Sequence, residues 1–376
     1  MADKVDDSGP LVFISAGDPS GDIAASRLYA ELKKLHPSLR SFGLGGQKLR
    51  LAGQEQLAEP KELAVLGFWE VAKRYIFFRK LFYTCIDEIK GRKPNCIILV
   101  DYPGFNLRLA HKLRALKLGI PIIYYIAPQV WAWGAGRIPK MKTDLDRLLV
   151  ILSFEKHFFA GYGIATDFVG HYLLEDIPEQ FRDTRLPDSK QIALLPGSRP
   201  QEIGRMLGPM LEAARLFNAK HGTQAVVAGI SNGFDYEREL ASYAKDNISV
   251  LFEDSRKIIH ESSLALTASG TATLECGIIG RPMVVVYKTS VLTYQIARRL
   301  VRLKHIGLVN LVLGEKVVPE LIQHDATPQR MADELTRFWS NPALYKETAS
   351  LLIQARDVLG GHGASCRAAR IIADYL

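Results

Sequence analysis

Short apolar, β-branched runs alternate with helix-forming stretches along most of this chain, and the whole alternation occurs twice. In the first half the runs are Leu11–Ser15, Arg40–Leu44, Cys96–Val100, Pro121–Tyr125, Arg147–Ile151 and Thr166–Val169. Helical patterns such as Asp22–Leu35 and Asn106–Leu118 lie between them. A strand that is apolar at every position must be covered on both faces, and intervening helices are the crossovers that a parallel sheet requires. A polar, proline-bearing stretch from Glu175 to Lys190 (EDIPEQFRDTRLPDSK) interrupts the rhythm. It restarts with Gln191–Leu195, Gln224–Ala228, Ile248–Phe252, Leu264–Thr267 and Met283–Tyr287, with helical patterns near Ile203–His221, Phe234–Asp246 and Thr271–Ile279. The expectation is an α/β chain of two Rossmann-like domains, residues 1–172 and 173–350, facing across a cleft. The tail Thr327–Leu376 reads as two or three helices, of which residues 351–376 are expected to pack back on the first domain.

Composition bounds the function rather than the fold. The 376 residues are 48% hydrophobic and 23% charged, as in an ordinary soluble globular protein. No apolar run approaches the roughly 20 residues that span a bilayer. The polar opening MADKVDDSGP is not a secretory signal, so a cytoplasmic location is expected. Cys85, Cys96, Cys276 and Cys366 are scattered, with no C-x-x-C pair and no histidine at ligand spacing. Neither a disulfide framework nor a structural metal is expected, and no cofactor is called for. The net charge of +8 favours an anionic partner: nucleic acid, phospholipid or a phosphorylated metabolite. Without a zinc-finger pattern, an aromatic RNA-binding signature or a long basic tail, nucleic acid is set aside.

Two strand exits in the second half suit a phosphate. LLPGSR ends a strand at Leu194–Leu195 and delivers Arg199 to a turn; Ser269-Gly270-Thr271 leads a second strand straight into a helix. Backbone N–H groups, two hydroxyls and a helix N-terminus there would hold a diphosphate without a metal, and Arg199 adds a charge-assisted contact. Glu275 follows Thr271 by one helical turn and could accept two hydrogen bonds from a ribose diol. Either motif alone also fits a plain helix cap with a surface glutamate; the pair in one half favours a nucleotide diphosphate.

The first half is harder to read. SAGDPSGD (residues 15–22) is a glycine turn between strand and helix, yet it brings two carboxylates, Asp18 and Asp22, where a phosphate loop would avoid them. Asp101 leaves the run Ile97–Val100 and fits either a general base or a helix cap. Trp131 and Trp133 could wall a sugar or acyl site or simply pack; His171 could orient a phosphate or serve the core. In KRYIFFRKLFY, residues 73–83, Tyr75, Phe78 and Phe82 interleave with cations, as in a segment lying on an anionic membrane or in a core-facing helix with a basic outer side. Tyr294–Lys304 repeats that mixture.

SAGDPSGD, ELAVLG (62–67), VDYPGFN (100–106), PQVWAW (128–133), LSFEK (152–156), LLPGSR, SGTATLE and NLVLG (310–314) occur in that order. Together they resemble the lipid-A-disaccharide synthases, bacterial inverting glycosyltransferases of the GT-B fold, from about Leu11 to the C-terminus. The resemblance implies a UDP-2,3-diacylglucosamine donor, a 2,3-diacylglucosamine 1-phosphate acceptor, and a β-1,6-linked disaccharide 1-phosphate plus UDP as products. It also implies work without a required metal, peripherally on the anionic cytoplasmic face of the inner membrane. Carried over by motif, Asp101 is the base. Arg199, Ser269, Glu275 and Asn310 are donor-site residues, with Gly270 and Thr271 in the same turn; Ser20 and Gly21 lie on the glycine-turn side. Three positions depart from the family pattern: Asp18 replaces a glutamate, Gly104 an aspartate and Val309 a proline. A UDP-N-acetylglucosamine 2-epimerase-like enzyme is the alternative on the same fold. The oligomeric state stays open, a homodimer included.

Overall fold

Leu11–Ala16 and Cys96–Val100 owe their strand state to continuous apolar character. Nearly every residue in both is buried, with Val12, Phe13, Ile14, Ile98, Leu99 and Val100 fully removed from solvent. The computed structural model describes residues 9–59, 75–132, 134–182, 189–231, 233–290, 294–295 and 304–376. The motif at 62–67, residues 73 and 74, Trp133, most of the 294–304 stretch and the side chain of Tyr75 lie outside the described residues.

Among the described residues, seven parallel strands form the first sheet: β1 (Leu11–Ala16), β2 (Arg40–Leu44), β3 (Glu55–Gln56), β4 (Cys96–Val100), β5 (Ile122–Tyr125), β6 (Arg147–Val150) and β7 (Thr166–Phe168). Their order is β3-β2-β1-β4-β5-β6-β7. Six more form the second: β8 (Gln191–Leu195), β9 (Gln224–Ala228), β10 (Ile248–Leu251), β11 (Leu264–Ala268), β12 (Met283–Tyr287) and β13 (Glu320–Ile322), ordered β10-β9-β8-β11-β12-β13. Each order reverses direction once, between β1 and β4 and between β8 and β11. Open α/β sheets bind ligands outside the carboxyl ends of the strands at such reversal points.

Proline starts three of the four helices that leave these points, the exception being the one that begins at Thr271. Pro19, Pro103 and Pro200 sit in the first turns of Pro19–Leu35, Pro103–Ala115 and Pro200–His221. The missing N–H costs nothing there, and the fixed φ suits a helix start.

The chain divides into two compact units, one through Tyr172 plus Gly360–Leu376, the other Leu173–Leu359. The return to the first unit therefore starts at Gly360, not at 351. Residues 351–359 stay in the second unit because they pack there: Arg356 Nε donates to Ile278 O at 2.7 Å. The tail holds four helices rather than two or three: Pro328–Trp339, Pro342–Ile353, Ala355–Val358 and Ala364–Ala373. The last packs along Pro19–Leu35, and Arg367 fastens the return, donating to Val169 O at 2.7 Å and Gly360 O at 2.9 Å.

Candidate active site

Asp101 stands at the exit of β4 in a left-handed backbone, φ 44°, followed by Tyr102 at φ 50°. A non-glycine pair in that region is costly and needs neighbours to hold it. Asn106 supplies the hold. It is fully buried, and its Nδ2 donates to the carbonyls of Asp101 at 2.9 Å, Val100 at 3.2 Å and Ser15 at 3.2 Å. Its Oδ1 accepts from Ser15 Oγ at 2.7 Å. One side chain thus ties the end of β1 to the end of β4 across the reversal point. Tyr124 adds an O–H bond to Asp101 O at 2.6 Å. The Tyr102 ring folds over Gly17 so closely that a Cβ there would lie 2.2 Å from a ring carbon.

Burial, and then the charge of Asp18, push the Asp101 carboxyl up to about 7. A carboxylate poised near neutrality is suited to proton transfer. Asp18 sits at the N-cap position without a side-chain capping bond, accepts from Ser20 Oγ, and keeps Oδ1 buried without a hydrogen-bond partner. Ser20 is exposed and Gly21 buried in the first helical turn. Asp22 has a different task. Its carboxylate accepts from the backbone N–H groups of Gly46 at 2.8 Å, Lys48 at 2.9 Å and Leu49 at 3.1 Å, holding the start of the short helix Gln47–Leu51. The two carboxylates of SAGDPSGD therefore divide: one at the reversal point, one inside the scaffold.

Glu155, the glutamate of LSFEK, is a further buried titratable group. It is 1% exposed, and burial pushes it up to about 7 against the pull of its hydrogen bonds. Trp131 Nε1 donates to Oε1 at 2.9 Å and Leu152 N to Oε2 at 3.1 Å. Trp131 is thereby fixed, packed edge-on against Phe154 with ring centroids 5.0 Å apart. The early sign of Glu155 was its place in the LSFEK motif, which gave it no role. His171 is buried, and burial drives its imidazole down to about 4, so near neutral pH it is not the cation that would hold a phosphate.

At the second reversal point, β8 leads through Gly197, φ 116°, to Arg199, whose side chain is 65% exposed and 3.2 Å from Glu202. β11 runs through Ser269 and Gly270 into the helix Thr271–Ile279, with Thr271 exposed at its N-terminus. Glu275 accepts from Ser255 Oγ at 3.3 Å, and burial raises its carboxyl to about 7 despite the nearby Arg256. Ser269 Oγ donates to Ile306 O at 2.6 Å, tying the turn to a neighbouring loop.

Asn310 departs from expectation. It is fully buried, and every hydrogen-bonding position on it is occupied inside the protein: Nδ2 to Val318 O and Glu320 Oε1, Oδ1 from Val317 N and Val318 N, all within 3.0 Å. Glu320 also accepts from Ile306 N at 3.0 Å and Gly307 N at 2.9 Å. Asn310 shapes the loop that meets Ser269 rather than presenting its own amide to a ligand. Glu320, at the start of a three-residue edge strand, gave no sequence signal.

The membrane-facing assignment also shifts. Phe82 packs against the core, its ring 5.7 Å from that of Phe105, and Phe78 is half-buried. On the helix Tyr75–Arg92 the exposed apolar groups are Ile76, 82% exposed, and Tyr83, beside exposed Arg79 and Lys80. Among the described residues no helix is long and apolar enough to cross a membrane. Nor do three or more histidine, cysteine or acidic side chains among them form a group that could hold a metal ion.

Comparison with known proteins matches residues 12–372 to the family model described as lipid-A-disaccharide synthetase. Curated relatives include the lipid-A-disaccharide synthases of Anaeromyxobacter dehalogenans (strain 2CP-C), 41% identical over 367 residues and 95% of each chain, and of Myxococcus xanthus, 38% identical over 377 residues and 98% of each. Among solved structures, the UDP-GlcNAc 2-epimerase of Neisseria meningitidis bound to UDP-GlcNAc aligns with TM-score 0.62 at 14% identity, covering 97% of this chain and 98% of that one. The calicheamicin glycosyltransferase CalG4 aligns with TM-score 0.61 at 13% identity over 98% of each. These structural likenesses carry the fold, that of GT-B glycosyltransferases and epimerases, and the epimerase alternative is not favoured over a sequence match along nearly the whole chain. The chain belongs to the lipid-A-disaccharide synthase family of glycosyltransferases.

Proposed function

We propose that the protein transfers a 2,3-diacylglucosamine unit from UDP to the 6-hydroxyl of 2,3-diacylglucosamine 1-phosphate, giving the β-1,6-linked disaccharide 1-phosphate and UDP. The observation that carries the reading is Asp101, a carboxylate pushed up to about 7 and locked at the reversal point of the first sheet. It takes the acceptor hydroxyl proton as that oxygen attacks the donor anomeric carbon. The bond to UDP breaks on the opposite face, so the configuration inverts. Arg199 and the helix start at Ser269, Gly270 and Thr271 receive the charge that develops on the diphosphate. Glu275 accepts from the ribose, and Ser20 and Gly21 meet the donor from the glycine turn.

The donor needs no carboxylate-bound metal in this scheme. Asp22 spends its oxygens on three backbone N–H groups, which removes it from a metal pair with Asp18. Ile76, Tyr83, Arg79 and Lys80, with Phe78 beside them, fit docking on an anionic membrane surface, the place where diacylated substrates reside. The test is incubation of purified protein with both substrates, with and without EDTA, followed by mass spectrometry of UDP and lipid product. Disaccharide in both tubes is expected. Product only without EDTA would contradict the metal-independent scheme, and no product across a range of acyl lengths would contradict the substrate assignment.

A further inference from the structure

The first unit carries another concavity, which the chemistry above leaves unused. The helices Pro103–Ala115 and Ile138–Asp144, with Gly136 and Arg137 leading into the second, enclose a pocket of about 360 Å³. Its floor is apolar: Leu107, Ala110, Met141 and Leu145, the last three buried. Its rim holds three exposed cations, Arg108, Arg137 and Lys140. One carboxylate lines it, Asp144, and its oxygens face His111 Nδ1 at 2.9 Å and Thr143 Oγ1 at 3.1 Å. Pro103 and Gly104 form the pocket edge and follow directly on the left-handed turn at Asp101 and Tyr102.

A packing defect has no use for a ring of cations, and a water site needs polar walls. An apolar floor beneath cationic groups complements an anionic amphiphile, with the chain inside and the anion at the mouth. The volume lies at the small end of the roughly 300–1,000 Å³ typical of ligand pockets, which suits one acyl chain and not two. We propose that this pocket takes one acyl chain of the phosphorylated acceptor, whose phosphate is held by Arg108, Arg137 and Lys140. The assignment rests on the acylated acceptor proposed above. It explains how a substrate dominated by its chains could be aligned with Asp101: the pocket fixes one chain beside the turn that carries the base.

The experiment compares wild type, Leu107→Trp and Arg108→Ser/Lys140→Ser as full-length proteins. Acceptor KM is measured with 2,3-diacylglucosamine 1-phosphate, a short-chain version and a dephosphorylated version; UDP affinity and binding to phosphatidylglycerol vesicles are measured in parallel. Filling the floor with Leu107→Trp should raise acceptor KM about tenfold or more, with little effect on the short-chain acceptor. The rim double variant, which changes only exposed residues and keeps the test valid should the tryptophan disturb folding, should raise KM about tenfold for the phosphorylated acceptor alone. UDP affinity should stay unchanged in both. Wild-type acceptor KM in both variants, with UDP binding intact, would overturn the assignment. Loss of vesicle binding at unchanged acceptor KM would give the pocket to bulk membrane lipid and overturn it equally. Absence of disaccharide from the wild type would instead remove the underlying reaction, so the two failures are told apart.

Discussion

Where β1 and β4 diverge, the chain gathers Asp18 and Asp101 over a buried Asn106; where β8 and β11 diverge, it gathers backbone N–H groups, hydroxyls and Arg199. The strand order around both points is the same. At the first point burial, and then the charge of Asp18, lets Asp101 hold its proton up to about 7. The second offers positive dipole ends and an exposed guanidinium. In the proposed scheme one topology thus supplies a proton acceptor in one unit and an anion holder in the other. The fold fixes where a ligand can sit, and the few residues at the strand exits fix what happens there.

The comparison breaks first at Asp101. Asparagine tolerates the left-handed backbone, so Asp101→Asn should keep the turn while turnover falls about 10²- to 10⁴-fold. In the wild type, kcat/KM should rise with pH through about 7 as Asp101 loses its proton. A flat profile between pH 5 and 8 would place the base elsewhere. At the second point, Arg199→Ala should weaken UDP roughly 10- to 100-fold, the worth of a charge-assisted hydrogen bond, measured by titration calorimetry.

Smaller effects sharpen the contrast between the two asparagines. Asn106→Ala leaves three carbonyls and a hydroxyl without their partner and releases the Asp101 turn. It should cost about 1–3 kcal/mol in chemical denaturation, with turnover falling and UDP affinity unchanged. Asn310→Ala should cost a similar amount, about 1–3 kcal/mol, and weaken UDP through the loop at Ile306, with the acid limb of the pH profile unmoved. Equal loss of UDP binding in both would erase the distinction.

Asp101 also links stability to pH. Its folded pKa lies above its unfolded value of 3.8, so between those values the native state binds the extra proton. That stabilisation is complete below pH 3.8 and is lost as pH rises toward 7. Asp101→Asn should therefore stabilise the protein at pH 8, by on the order of 1 kcal/mol or more, and have less effect at pH 5. Asp22→Ala, which strips a helix start of its acceptor, should cost about 0.5–2 kcal/mol. A wild-type melting curve for that variant would remove Asp22 from its scaffold role.

Much of this was legible in the sequence where a pattern is repeated along a segment. The central strands announce themselves because burial on both faces demands unbroken apolar runs. β3 and β13 do not, because two- and three-residue edge strands are too short to carry a period. The helix expected over Phe234–Asp246 contracts to Tyr236–Leu240 and a single tighter turn, Ala241–Tyr243. Polar roles were legible only in part. Asp101 could be placed from its strand exit. A motif does not say, however, whether a side chain faces the ligand or the loop behind it, and Asn310 faces the loop. Glu155 and Glu320 act through partners 24 residues away at Trp131, and 14 away at Ile306, which only the folded chain brings together.

The most direct test of this division of labour measures UDP affinity and turnover side by side in Asp101→Asn and Arg199→Ala. The account predicts that Asp101→Asn binds UDP as the wild type does yet barely turns over, and that Arg199→Ala loses UDP affinity. Near-normal turnover in Asp101→Asn, or loss of UDP binding in that variant, would contradict it.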